Sequence, residues 1–178
     1  MNKTKKITIS AMMAALASVF MLTSYFPYLT YAIPAIAGLF VMVVVIEVDT
    51  KWATFAYVVS ATIAFLMAEP EAKMLYIMFF GYYPIIKALF ERLRSRVFEY
   101  VLKFLVFNIA VILAYTLASA IFGITLEDMD DFGKYTAIIL LAAGNVVFPI
   151  YDVCVSRMAQ FYSIRLHPAV SKIFSGKR

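Results

Sequence analysis

Apolar residues come in six runs separated by charged or turn-forming breaks: Ile7 to Phe26, Ala32 to Ile46, Trp52 to Ala68, Met74 to Phe90, Tyr100 to Phe122 and Tyr135 to Val155. Backbone groups in lipid must be hydrogen-bonded internally, so each run is expected to be a helix. The second, third and fourth, at 15, 17 and 17 residues, are shorter than the roughly 20 residues that a bilayer core asks for. The second is therefore expected to be tilted, broken or only partly spanning. The breaks fall at Pro27 and Pro34, at Glu47 to Lys51, at Glu69 to Lys73 with Pro70, at Glu91 to Glu99, and at Gly123 to Lys134, where turn formers and charges interrupt the apolar pattern.

The pattern predicts an all-α fold, an integral membrane bundle of six transmembrane helices forming one domain over residues 1–178, with 160–178 as a cytoplasmic tail. Composition sharpens this. Hydrophobic residues make up 64% of the chain and the mean hydropathy is +0.87, whereas soluble domains are about 45–50% apolar. No polar insert is large enough to be a separate catalytic domain. The first run is 20 residues long and leads into an aromatic, proline-containing loop instead of a small-residue cleavage site, so it is expected to remain as a helix. Cys154 and His167 are the single cysteine and histidine, which excludes an internal disulfide and the Cys and His clusters of structural zinc sites. Neither a metal nor a cofactor is expected.

Charge then sets the orientation, because basic short loops are retained in the cytoplasm. Lys3, Lys5 and Lys6 precede the first helix, Lys51 follows the second, Arg92, Arg94 and Arg96 follow the fourth, and Arg157, Arg165, Lys172, Lys177 and Arg178 follow the sixth. With Lys87 and Lys103 snorkelling toward the same side, only Lys73 and Lys134 remain for the other, beside Glu69, Glu71, Glu127, Asp128, Asp130 and Asp131. Both termini are expected to be cytoplasmic, in the plasma membrane. The pI near 9.3 is a consequence of this topology, and a nucleic-acid partner is not needed to explain it.

A few positions carry chemistry beyond spanning. Ala11 and Ala15 form a small-xxx-small pair that lets another helix approach closely, either within the bundle or from a different membrane subunit. Tyr76, Phe80 and Tyr83 stand at i, i+4 and i+7, hence on one face of a regular helix. There they either stack on a flat ligand or form an interfacial aromatic belt. The same two readings apply to Tyr28 and Tyr31 in the uncharged aromatic loop from Tyr25 to Tyr31. Asn108 and Asn145, near the middle of the fifth and sixth helices, either bond one another or face a cavity. Asp152 is expected to pair with Lys87 or Lys103 as a structural ion pair, and Glu99 with Lys103 as an ordinary i,i+4 pair. The acidic run Glu127, Asp128, Asp130 and Asp131 lacks the alternation and distal glutamate of a calcium loop. The sequence contains no HExxH, GxSxG or glycine-rich phosphate loop. No catalytic residue is assigned, and any ATP-driven step belongs to another chain.

The basic start, the alanine-rich segment Ile9 to Ala17, six short helices, and the run Phe79-Phe-Gly-Tyr-Tyr-Pro-Ile-Ile-Lys87 followed by Lys103 and Phe107-Asn108 together resemble the substrate-binding S components of bacterial energy-coupling factor transporters. The resemblance implies a subunit that captures a vitamin or similar micronutrient from outside. It delivers the nutrient by toppling against a transmembrane scaffold subunit and two ATPase subunits. By the same resemblance, Ala11 and Ala15 meet the scaffold subunit. The ligand pocket lies in the outward half, for which Tyr28, Tyr31, Tyr76, Phe80, Tyr83, Asn108 and Asn145 are the candidate residues. The alternative is a non-transporting scaffold of cell-envelope machinery, similar to the small six-helix rod-shape proteins, which has the docking face and no pocket.

Overall fold

The computed structural model describes residues 2–26, 28–93, 95–122, 136–168 and 170, and the described residues contain helix and turn but no strand. In chain order the helices are α1 (Lys3–Leu22), α2 (Ala32–Glu47), α3 (Thr50–Met67), α4 (Pro70–Leu75), α5 (Tyr83–Phe90), α6 (Arg96–Phe122) and α7 (Thr136–Phe161). A 3-10 turn, Thr23–Tyr25, closes α1, and π-helical stretches at Tyr76–Phe80 and Tyr162–Leu166 follow α4 and α7. Among the described residues, three segments, Lys3–Tyr25, Thr50–Met67 and Arg96–Leu117, are long and apolar enough to cross a membrane, and α2 is a shorter apolar helix. The acidic residues Glu127, Asp128, Asp130 and Asp131 lie outside the described residues, as do Lys134, Arg94, Pro27, Lys172, Lys177 and Arg178.

Caps set the short connections. The Asp49 carboxylate accepts the Trp52 amide at 2.9 Å and the Lys6 ammonium at 3.1 Å, so one residue starts α3 and fastens it to the beginning of α1. That amide bond, with Lys6 beside it, holds the Asp49 carboxyl below its ordinary range. At the opposite end Glu69 caps α4 through the Ala72 amide, with Pro70 in its first turn, and the Glu69 amide donates to Ser24 Oγ. These ties place the start of α1 beside the α2–α3 connection, and put Ser24 beside the start of α4 at the far end.

Two kinds of packing build the interior. α1, α2 and α3 meet through small side chains: Ala14, Ala17, Ala37, Ala53, Ala56, Ala61 and Ala64 are buried, with Met21, Val41 and Val44 between them. Small residues bring backbones close enough for dispersion to hold helices that gain little by hiding oil from oil. The second kind is aromatic: Phe79, Tyr83, Phe107 and Phe148 form one buried cluster with Ala110, and Phe107 stacks on Phe148 at 4.7 Å between ring centres.

The largest departures from the sequence expectation lie in the fourth run and beyond the end of the sixth. The fourth run does not form a single helix from 74 to 90: it starts at Pro70 and is interrupted by the π stretch and a turn at 81–82. The reason lies in its composition. Pro84 has no N–H to return to the Phe80 carbonyl, the Gly81 amide reaches Tyr76 instead at 2.8 Å, and the Tyr57 hydroxyl takes the Ile77 carbonyl at 2.7 Å. Gly81 is required there, since a Cβ would lie 2.7 Å from the Tyr57 ring. α7 continues to Phe161, past the expected end at Val155, and the first described residues after it form the π-helical stretch Tyr162–Leu166. Tyr162 and His167 both bond Glu47 Oε1, at 2.8 and 2.9 Å, which docks this segment on the end of α2.

Candidate functional site

A cavity of about 250 Å³ opens between the α4 and π segment on one side and α6 on the other. Met74, Leu75, Met78, Phe79 and Phe80 form one wall, and Phe107, Ala110, Val111, Ala114 and Tyr115 form the other. Tyr31 and Glu71 complete the lining, the Tyr31 hydroxyl donating to Glu71 Oε2 at 3.3 Å on the exposed surface. Partial burial and the carboxylates of Glu71 and Glu69 push the Tyr31 hydroxyl above its ordinary range. Pockets that take small organic molecules are mostly apolar with a few placed polar groups; this one is apolar almost throughout, and its polar pair, Tyr31 and Glu71, is exposed.

The π stretch shapes the cavity. A widened turn carries an extra residue, so the helical register slips. Tyr76 faces α3, bonded to the Ser60 hydroxyl at 2.7 Å and wholly buried, whereas Phe80 packs edge-on against Tyr151 of α7 at 4.9 Å. The single face expected for Tyr76, Phe80 and Tyr83 is thus divided between two neighbours. α2 leans against the same distortion: a Cβ on Gly38 would run into the main-chain carbonyl of Phe80.

Of the seven residues named for ligand contact, Tyr31 and Phe80 line this cavity and the other five do not. Tyr28 stands 98% exposed on a turn with φ of 70°. Tyr83 donates to Asp152 Oδ1 at 2.5 Å. Asn108 and Asn145 exchange two amide bonds at 2.9 Å and also reach the Phe104 and Leu141 carbonyls of their own helices. The mutual pairing is the first of the two arrangements open from sequence. Of the lining residues not named for ligand contact, Phe79 and Phe107 stand in the runs that carry the resemblance, whereas Glu71 and Ala110 carried no separate signal. Met74 and Met78 are spaced for one helical face, the one clue available.

Toward the other end lies a buried charge cluster. Asp152 accepts from Tyr83, from Lys87, and from Lys103 at 3.2 Å, so both candidate lysines meet it. Lys87 also pairs with Glu91 at 3.0 Å and Lys103 with Glu99 at 2.6 Å. Because Lys87, Lys103 and Asp152 sit on α5, α6 and α7, the Asp152 carboxylate meets its two lysines only when the three helices are together. A second cavity of about 430 Å³, among α2, α5 and α7, has Lys87 and Glu91 in its wall.

The outer face of α1 is separate from both cavities. Ala11 and Ala15 are exposed in the middle of an apolar strip with Ile7, Met12, Leu16 and Val19, while Ala14, Ala17 and Ser18 face inward. Packing inside the bundle therefore uses a different set of small residues from the pair singled out in the sequence.

No family model matches the chain, and neither the curated proteins nor the solved structures contain a match.

Proposed function

We propose that this chain is the substrate-binding S component of an energy-coupling factor importer, crossing the bacterial plasma membrane six times with both termini in the cytoplasm. The observation that carries the reading is the aromatic-walled cavity between the π stretch and α6. In that topology it lies in the outward half, where a vitamin or similar micronutrient arrives. Three helices of spanning length support the membrane placement, and fourteen of the sixteen basic residues fall on the cytoplasmic side, as the retention of positive loops requires. In this topology α2, the α4–α5 segment and α7 supply the remaining crossings.

The chain has no phosphate-binding loop, so energy comes from partners: a transmembrane scaffold subunit and two ATPase subunits. The exposed strip around Ala11 and Ala15 is the docking face for the scaffold, since the small-xxx-small pair admits a second backbone closely between the larger side chains. The cluster around Asp152 keeps α5, α6 and α7 together while the bundle reorients. A cell-envelope scaffold would use the same α1 face but has no need of the cavity.

The test is native mass spectrometry of the protein purified in detergent from cells grown in rich medium, together with thermal unfolding across a panel of vitamins. A co-purified small molecule, and a compound that raises the unfolding midpoint as a ligand of the folded state must, are expected. Repeated preparations with nothing bound and no shift with any vitamin contradict the proposal and favour the scaffold role.

A further inference from the structure

The chemistry of the cavity narrows what it holds, on the premise that it is the ligand site proposed above. Its volume of about 250 Å³ is below the roughly 300–1,000 Å³ of pockets for drug-sized molecules, so the occupant is small. Phe79, Phe80, Phe107, Tyr31 and Tyr115 contribute aromatic surface, and the faces of such rings are electron-rich and attract cations. Glu71 supplies the one carboxylate of the lining. Among the described residues it is in no ion pair, its recorded hydrogen bond being the exposed 3.3 Å contact with the Tyr31 hydroxyl. A long contact at the surface is easily exchanged for a stronger one, and a charged donor on a ligand provides that. A neutral ligand would fill the aromatic part equally well, while an anion would meet repulsion from Glu71, with Glu69 close enough to act on Tyr31 as well. We infer that the cavity selects an organic cation with a flat apolar body that lies along the wall made by Phe79, Phe80 and Phe107, its charged end taking the place of Tyr31 on Glu71.

The experiment is isothermal titration calorimetry on the full chain in detergent with three quinoline probes of similar size: quinolin-2-ylmethylammonium as the cation, whose ammonium is a charged donor, N-methyl-2-quinolone as the neutral analogue and quinoline-2-carboxylate as the anion. The cation is expected to bind tightest. Glu71→Gln should weaken it about tenfold, the size of a lost hydrogen bond to a charged group, while leaving the quinolone within about twofold of its value. Ala110→Leu, which fills the cavity floor, should remove binding of every probe, and Ala114→Leu at the rim does the same if the first variant misfolds. Equal or tighter binding of the neutral or anionic probe, or an unchanged cation affinity in Glu71→Gln, overturns the assignment. When that binding is still lost in the Ala110→Leu or Ala114→Leu variants, the cavity remains the ligand site and only the cation class falls. Binding that survives both cavity-filling variants places the ligand elsewhere and removes the premise too. Failure of all three probes at millimolar concentration also overturns the cation class, while the co-purified nutrient continues to decide the premise.

Discussion

The α1–α3 half and the α4–α7 half solve helix packing in opposite ways. Alanines fill the first: Ala14, Ala17, Ala37, Ala53, Ala56 and Ala64 are all buried, and the helices meet with almost nothing between them. The second is held by rings and charges, Phe79, Tyr83, Phe107 and Phe148 beside Lys87, Lys103 and Asp152. Small side chains leave no space at a contact, whereas large rings interrupted by a π stretch and a proline cannot close every gap. Both cavities accordingly have walls in the second half, and the strip around Ala11 and Ala15 belongs to the first. The exposed small-residue strip goes with one half, the aromatic cavity wall and the buried charge cluster with the other.

Breaking the charge cluster is the severest challenge to the second half. Asp152→Ala leaves Lys87 and Lys103 without their shared carboxylate, and removing one partner of a buried pair costs about 3–5 kcal/mol. Unfolding of the purified protein by denaturant in micelles should record that loss, with a part of it restored by Asp152→Glu. Gly38→Ala strikes the seam between the halves. Its methyl group meets the Phe80 carbonyl, which α2 escapes only by moving, at about 1–3 kcal/mol for overpacking. The same substitution at Gly144, where the neighbour is the tip of the Phe107 ring at 3.0 Å, should cost less, because a side chain yields more readily than backbone.

Asp49→Ala probes the fastening of the first half and should lower stability by about 1 kcal/mol, the usual value of an N-cap. Its pH dependence has a definite sign. The folded-state carboxyl is held down by the Trp52 amide and Lys6, so its contribution is complete above the ordinary carboxylate value of about 3.9. It is lost as pH falls through the lower folded value. Unfolding midpoints of Asp49→Ala and the parent should differ at pH 7 and converge below about pH 4. The smallest effect belongs to the amide pair. In a double-mutant cycle of Asn108→Leu and Asn145→Leu, the coupling should be about 0.6 kcal/mol, typical of hydrogen bonds between membrane helices.

The legibility of the two halves differs for the same reason. Apolar run length located α2 within one residue and α6 within a few, because uninterrupted apolar segments leave few other places for a helix to start or stop. Asp152 and its lysines were also readable, since a charge in an apolar segment needs a partner nearby. The cavity was not. A register argument assumes 3.6 residues per turn, and the π stretch at Tyr76–Phe80 breaks that assumption within the segment that forms one wall. Glu71 looked like another solvent-facing acid, and its place at the cavity depends on how far α4 leans toward α6. The docking of Tyr162 and His167 on Glu47 spans more than a hundred residues, a separation on which local pattern is silent.

The two-region account is tested most directly by a crossed comparison. Ala11→Leu with Ala15→Leu roughens the α1 face, and Ala110→Leu fills the cavity; each protein is assayed both for co-purification with the scaffold and ATPase subunits and for binding of the co-purified nutrient. The account predicts that the first loses the complex and keeps the ligand, and that the second loses the ligand while still assembling. Loss of both properties in either variant, or ligand binding undisturbed by the filled cavity, would contradict it.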